Sequence, residues 1–142
     1  MSFDPQGFDP QGDYPLGTKR PDLVSTPSGV ALADVTLDAL RAGDLDSAGI
    51  RATPETLRLQ AEVAHAASRD ALAENLERAA ELAGVPDDLL LAVYAALRPR
   101  RATSDELAEW ATRLDRHGAP KTAAFVREAA ATYAERGLLA GA

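Results

Sequence analysis

Apolar residues recur with the period of an α-helix along most of the chain from about residue 53 onward. No segment shows the sustained period-two alternation that predicts a β-strand. Glycine or proline interrupts the helical pattern at residues 84, 99, 118 and 137, and both residue types are frequent where helices end. The pattern therefore predicts an all-α fold, a small multi-helix domain of about five helices.

The segment that follows Thr53 combines a helix-start signal with a wide apolar surface. The Thr53 hydroxyl can cap free backbone N–H groups, Pro54 suits the first helical position, and Glu55 complements the positive end of the helix dipole. The helix is predicted to run to about residue 68. More than half of its circumference is apolar, through Leu57, Leu59, Ala61, Val63 and Ala64. A helix of this kind is usually buried on more than one side, so we expect something outside the chain to cover part of it, and Leu57 and Leu59 are candidate partner contacts.

Four further helices are predicted after this one, each with its own apolar stripe. Their approximate bounds are 70–83, 87–97, 103–118 and 120–136. Thr103 and Glu106 form a capping box at the start of the third, in which each side chain reaches the other's free N–H. The stripes consist of Leu72, Leu76, Ala79 and Ala83; Leu89, Leu90, Val93 and Leu97; Leu107, Trp110, Ala111 and Leu114; and Val126, Ala129, Ala130 and Tyr133.

The first 30 residues are rich in proline and glycine and begin with the pentapeptide of residues 3–7 repeated at residues 8–12. Because proline and glycine break both regular structures, we expect an extended N-terminal arm over residues 1–30 and a helical domain over residues 31–142. A short helix is expected within about 34–41, capped by Thr36 or Asp34. Tyr14 and Leu16 are apolar residues on the otherwise polar arm, and they are expected to dock either on a partner or on the domain itself.

Composition narrows the class of protein. The chain has 142 residues, of which 46% are hydrophobic and 26% charged, with a net charge of −7. The acidic balance disfavours a broad nucleic-acid surface, and the absence of cysteine removes disulfides, thiolate metal sites and a cysteine nucleophile. No apolar run approaches the roughly 20 residues of a membrane span. A soluble protein of the cytoplasm is therefore expected.

Candidate chemistry is sparse. His65 follows Glu62 at a spacing that can serve one metal ion, but such sites need a second pair of ligands from another helix. His117 suits the negative end of a helix dipole, and paired carboxylates such as Asp87 and Asp88 suit the positive end. The basic group Arg98, Arg100 and Arg101 could bind a phosphate or an acidic partner. No catalytic, cofactor-binding or metal-ligating residue is assigned, and the residues alone indicate a non-catalytic interaction module.

Several segments, which follow one another along the chain as they do in the family, resemble the small, or γ, subunit of the adenosylcobalamin-dependent diol and glycerol dehydratases. The resemblance covers nearly everything from residue 13 onward. The matching segments are Asp13-Tyr14-Pro15-Leu16, Thr36-Leu37-Asp38, Arg51 with Thr53-Pro54-Glu55-Thr56-Leu57-Arg58-Leu59-Gln60-Ala61, Glu77-Arg78-Ala79-Ala80-Glu81-Leu82 with Val85-Pro86-Asp87, Tyr94 with Ala96-Leu97-Arg98-Pro99, and Ala124-Phe125-Val126-Arg127-Glu128-Ala129-Ala130.

The resemblance implies a holoenzyme with two copies each of large, medium and small subunits, which converts 1,2-propanediol or glycerol to an aldehyde and water by a radical route. Adenosylcobalamin would lie between the large and medium subunits, and the small subunit would pack on the large one without supplying a catalytic residue. Arg98 and Arg101 join Tyr14, Leu16, Leu57 and Leu59 as candidate partner-binding residues. Some members carry longer N-terminal extensions that direct the complex to a microcompartment, whereas the short head of this chain has no helical stripe, so we expect any such targeting to come from another subunit.

Two hypotheses from other classes remain open at this stage. A free-standing helical adaptor would use the arm and the arginines to bind another protein, and would fold well when expressed alone. A small metalloenzyme would use His65 and Glu62 and would contain stoichiometric metal. Within the dehydratase hypothesis, the sequence does not decide between propanediol and glycerol as the preferred substrate.

Overall fold

The fold is taken from a computed structural model of the chain, which describes residue 5 and residues 7–141. These residues form seven α-helices and two short 3₁₀ turns, and their only bridge of strand type joins Ser25 and Ala31. The helices are α1 (Leu16–Lys19), α2 (Leu37–Ala42), α3 (Pro54–Ala66), α4 (Asp70–Leu82), α5 (Asp87–Ala96), α6 (Ser104–Arg116) and α7 (Pro120–Glu135), and the 3₁₀ turns are Pro21–Leu23 and Leu32–Asp34. The predicted all-α class is confirmed, with α3 to α7 as the five long helices.

The chain divides into two compact units, the first ending at Ala83 and the second beginning at Gly84. Helices α1 to α4 belong to the first unit, and α5 to α7 belong to the second. The boundary between an arm of residues 1–30 and a domain of residues 31–142 stays a prediction. Residues 1–4 and 6, which hold most of the first pentapeptide, lie outside the described residues.

The predicted N-terminal caps are confirmed. The Thr53 hydroxyl accepts a hydrogen bond from the backbone N–H of Thr56 at 3.1 Å, and Thr36 caps α2 in the same way. At α6, the Thr103 N–H donates to Glu106 Oε2 at 2.7 Å, while the Glu106 N–H donates to the Thr103 hydroxyl at 3.2 Å. These bonds satisfy N–H groups that have no partner inside the helix, which is why the helices begin where they do.

The helix ends predicted at three glycines are close to those of the structure. Gly118 and Gly137 follow α6 and α7 with φ of 75° and 64°, in the left-handed region that glycine enters at little cost. Helix α4 ends at Leu82, two residues before Gly84, with Ala83 as its cap in a right-handed conformation. Gly84 is not among the residues with positive φ, so this end does not use the left-handed glycine conformation.

The core of the first unit is a contact between α3 and α4 made by small side chains. Ala61, Ala64 and Ala73 are buried together, and Leu76 packs against them. The buried face of α4 therefore differs by one position from the predicted stripe, since Leu72 is 44% exposed and Ala83 is exposed as well. Alanines at the contact let two helix backbones approach closely, and this favours the alanine face over the longer leucine.

The core of the second unit lies between α6 and α7. Leu107, Ala111 and Leu114 of α6 and Val126 of α7 are fully buried, as the predicted stripes require. Val93 is the buried residue of α5. Trp110 is half-buried at the edge of the α6 stripe, where the Arg113 guanidinium lies 4.9 Å from the centre of its ring, a cation–π distance.

Candidate partner-binding site

The arm is folded by a network centred on Arg20. This guanidinium contacts the Asp13 carboxylate at 3.0 Å and the Asp22 carboxylate at 3.0 Å, and it donates to the carbonyl of Gly7 at 3.2 Å. The Asp9 N–H donates to Asp13 at 2.9 Å, and this bond, together with Arg20, holds the pKa of Asp13 below its ordinary value. The Arg20 hydrogen bond likewise lowers the pKa of Asp22. Both carboxylates therefore stay charged at neutral pH, and residues 7–22 are more structured than an extended arm.

Tyr14 and Leu16, the two candidate residues of the arm, have different environments. Leu16 begins α1 and is buried within the chain, so for this residue the structure shows docking on its own unit. Tyr14 is 59% exposed. The helical turn of α1 was not predicted, because proline and glycine surround only four residues. Partner contact by Tyr14 stays a prediction.

A groove of about 760 Å³ lies between the arm and the adjoining ends of α3 and α4. Tyr14 and Leu16 line one side, and Val63, Leu72 and Leu76 are among the apolar residues of the other. This volume lies in the range of about 300–1,000 Å³ that is typical of sites for drug-sized ligands. The lining of the groove is mostly apolar, and no cobalamin contact is assigned to it.

Leu57 and Leu59 lie on different sides of α3 and differ in burial. Leu59 is only 1% exposed, whereas Leu57 is half-buried. Val63 is also half-buried, so none of the large apolar side chains of α3 is fully exposed. The wide apolar surface of this helix is thus covered largely within the chain, and retention of the complex through Leu57 stays a prediction.

Arg98 and Arg101 belong to a turn that the end of the chain holds in place. The Arg100 N–H donates to the carbonyl of Leu138 at 2.7 Å, and the Ala140 N–H donates to the carbonyl of Ala102 at 2.9 Å. Arg100 itself has a positive φ of 62°. The side chains of Arg98, Arg100 and Arg101 are exposed and form no ion pair with any residue in the described part of the chain.

Four exposed apolar side chains on α2 and α5 are not among the candidates that the sequence singled out. Leu91 is 69% exposed and Tyr94 57% exposed, one turn apart on α5. Leu37 and Leu40 form a similar pair on α2, none of whose residues is buried. The signal for α5 was present in the sequence, because residues 89–96 contain no polar side chain except the Tyr94 hydroxyl. The criterion that singled out α3 applies more strongly to α5.

His65 closes the α3–α4 hairpin through contacts with two carboxylates of α4. Its Nδ1 lies 3.0 Å from Asp70 Oδ1, and its Nε2 lies 3.7 Å from Glu77 Oε1. The hydrogen bond with Asp70 raises the pKa of His65 above its ordinary value, and the charges of Glu77, Asp70 and Glu62 act in the same direction. No group of three or more histidine or acidic residues suited to a metal ion is found in residues 7–141.

We expect the hairpin to be more stable at about pH 5.5 than at about pH 8.5 because of His65. A raised pKa in the folded state means that protonation favours folding; this contribution is complete below the unfolded-state pKa of about 6.5 and is lost as the pH rises through the folded-state pKa. Thermal unfolding of the wild type and of His65→Gln measures the effect as a difference in Tm at each pH. Asp70→Asn should remove most of the pH dependence while keeping the imidazole, and a Tm difference that is equal at both pH values would contradict this role.

The remaining candidates for chemistry lie at the ends of helices. The backbone N–H of His117 bonds to the carbonyls of Arg113 and Leu114 at the end of α6. Asp87 and Asp88 lie in the first turn of α5, and Glu106 is occupied by its capping box. Among the helices of the described chain, none is long and apolar enough to cross a membrane.

Comparisons with known proteins identify the family of this chain. Residues 10–140 match the family described as dehydratase small subunit. The propanediol dehydratase small subunit of Citrobacter freundii is 53% identical over 130 residues, which cover 91% of this chain and 76% of that protein. The corresponding protein of Salmonella typhimurium strain LT2 is 51% identical over 130 residues, covering 91% of this chain and 75% of its own length. The chain therefore belongs to the dehydratase small-subunit family.

Proposed function

We propose that this chain is the non-catalytic structural subunit of an adenosylcobalamin-dependent diol dehydratase acting on 1,2-propanediol. The observation that carries the proposal is the match over residues 10–140 to the dehydratase small-subunit family. Two relatives that are 53% and 51% identical have printed names that specify propanediol, which favours this substrate over glycerol. Glycerol remains the alternative substrate of the same holoenzyme.

The partners are the large and medium subunits, in two copies of each of the three chains, and adenosylcobalamin is bound by those partners. Support from this chain is of two kinds. Among the candidates for chemistry, His65 is engaged by carboxylates of α4 and Glu106 by its capping box. Exposed apolar side chains on α5 offer a surface for assembly.

The expected location is the cytoplasm, or a bacterial microcompartment reached only as part of the complex. Residues 7–22 fold into turns and a helix of four residues, so this segment does not form an amphipathic helix of several turns.

Co-expression of the three subunits tests the proposal. With the small subunit tagged, the large subunit should copurify, and the purified complex should dehydrate 1,2-propanediol when adenosylcobalamin is added. Omitting the small subunit should reduce the yield of active complex, with glycerol assayed in parallel to rank the substrates. Failure of the large subunit to copurify, together with unchanged activity when the small subunit is omitted, would contradict the proposal.

A further inference from the structure

A stripe of exposed side chains runs along α5 and continues into the turn that follows it. Leu91 and Tyr94 are three residues apart, and Arg98 follows Tyr94 after a further four, so the three lie within about one-sixth of the helix circumference at 100° per residue. The Arg98 N–H still bonds to the Ala95 carbonyl at 3.3 Å, which continues the helical path to Arg98. We call Leu91, Tyr94, Arg98 and Arg101 the α5 stripe.

The charge of the stripe is opposite to that of the chain. The chain has 22 acidic and 15 basic residues, yet three arginines are concentrated within positions 98–101. Several other arginines have acidic partners, such as Arg20 with Asp13 and Asp22 and Arg127 with Asp115. The three arginines of the turn have no acidic partner in residues 7–141, although the chain has 22 acidic residues.

Hydrogen bonds hold in place the backbone of the turn that carries these arginines. Bonds from Arg100 to Leu138 and from Ala140 to Ala102 anchor the turn on both sides, and the Tyr133 hydroxyl donates to the Leu97 carbonyl at 2.5 Å. An anchored turn loses little conformational entropy on binding, which is the advantage of a preformed contact. Aromatic and arginine side chains are also the types most often found at the centre of protein interfaces.

We propose that the α5 stripe is the surface by which this chain docks into an apolar groove with an acidic rim on the large dehydratase subunit. The positive charge of the stripe is complementary to an acidic rim, and the exposed Leu91 and Tyr94 are complementary to an apolar groove. Asp87 and Asp88 lie at the opposite end of α5, so the acidic rim faces the Arg98 end of the helix. This inference rests on the proposed function, because it names the surface through which the subunit assembles.

The apolar part of the proposal is tested by Leu91→Ser combined with Tyr94→Ser in the co-expressed, tagged complex. We expect the amount of large subunit recovered per small subunit to fall about tenfold or more. The matched control is Leu37→Ser combined with Leu40→Ser, which changes an equally spaced exposed pair on α2 and should leave recovery unchanged. Thermal unfolding of the isolated variants should give the wild-type Tm, because the changed side chains are exposed.

The charged part is tested by Arg98→Glu combined with Arg101→Glu. The amount of large subunit recovered should fall about tenfold. Salt should weaken assembly of the wild type more than assembly of this variant, since the variant lacks the charge attraction that salt screens. Arg41→Glu with Arg116→Glu makes the same change in net charge at the ends of α2 and α6 and should keep wild-type recovery.

Three outcomes are informative. Normal recovery with both α5 variants, while the wild type assembles, would overturn the α5 stripe and leave the proposed function intact. A lower Tm of the isolated Leu91→Ser, Tyr94→Ser variant would mean that the chain itself covers this face, which also overturns it. Absence of any wild-type complex would contradict the proposed function itself.

Discussion

Replacing Leu59 with alanine is expected to lower the free energy of unfolding of this chain by about 2–5 kcal/mol. Leu59 is 1% exposed and is one of the four largest fully buried side chains. Its neighbours on the buried face of α3, Thr56, Ala61 and Ala64, have short side chains that cannot extend into the space left by three lost carbon atoms. A cavity should therefore remain, and the loss should lie toward the upper part of the range.

Leu57→Ala provides the control on the same helix. Leu57 is half-buried, so the same chemical change removes less buried surface and should cost the isolated chain less than half as much. Urea unfolding followed by circular dichroism gives both values. If Leu57→Ala also reduced recovery of the large subunit in the co-expressed complex, the predicted second role of α3 would be supported. Equal losses of stability for the two variants would contradict the burial difference.

Replacing Leu114 with alanine is expected to cost the second unit a similar amount, about 2–5 kcal/mol. Leu114 is fully buried on α6, in the same core as Leu107, Ala111 and Val126. Trp110 lies one turn before it on α6 and is the only tryptophan of the chain, so its fluorescence reports unfolding at this core. The midpoint of the fluorescence transition in urea should move to lower concentration with little change in slope.

The control in this unit is Leu91→Ala. Its side chain is 69% exposed in the isolated chain, and substitutions at exposed positions usually change stability by no more than about 0.5 kcal/mol. A small effect of Leu114→Ala, comparable with that of Leu91→Ala, would mean that the α6–α7 core is not packed as described. A change in slope would indicate instead that the denatured or native state had changed in compactness.

Helix starts were predictable from the sequence because capping is local chemistry. Thr53 and Thr103 bond to N–H groups only three residues away, so the residues that decide the start are adjacent in the chain. The apolar stripe of α6 was equally clear from the sequence, since Leu107, Ala111 and Leu114 recur with the helical period, and α6 packs mainly against α7. The end of α4 was also predicted within two residues of Gly84, but its geometry was not, because Gly84 does not adopt the left-handed conformation.

The candidate partner-binding residues differ in exposure, which the sequence did not show. The structure buries Leu16 and Leu59 within the chain, whereas Tyr14 is 59% exposed. Leu91 and Tyr94, which were not proposed as partner contacts, are the most exposed large apolar side chains of α5. Periodicity states which residues share a helix face, but it does not state which face the rest of the chain covers.

The sequence by itself determined the five long helices, the threonine caps and the family. Helices and caps depend on neighbouring residues, and the family depends on segments that follow one another along the chain. Only the tertiary structure decided which apolar surfaces remain outside. The α3–α4 contact selects the small side chains of Ala61, Ala64 and Ala73, which turns Leu72 outward. Burial of Val93 fixes one face of α5 inside and leaves Leu91 and Tyr94 outside. Exposure is a property of contacts between residues far apart in the chain, so no local pattern contains it.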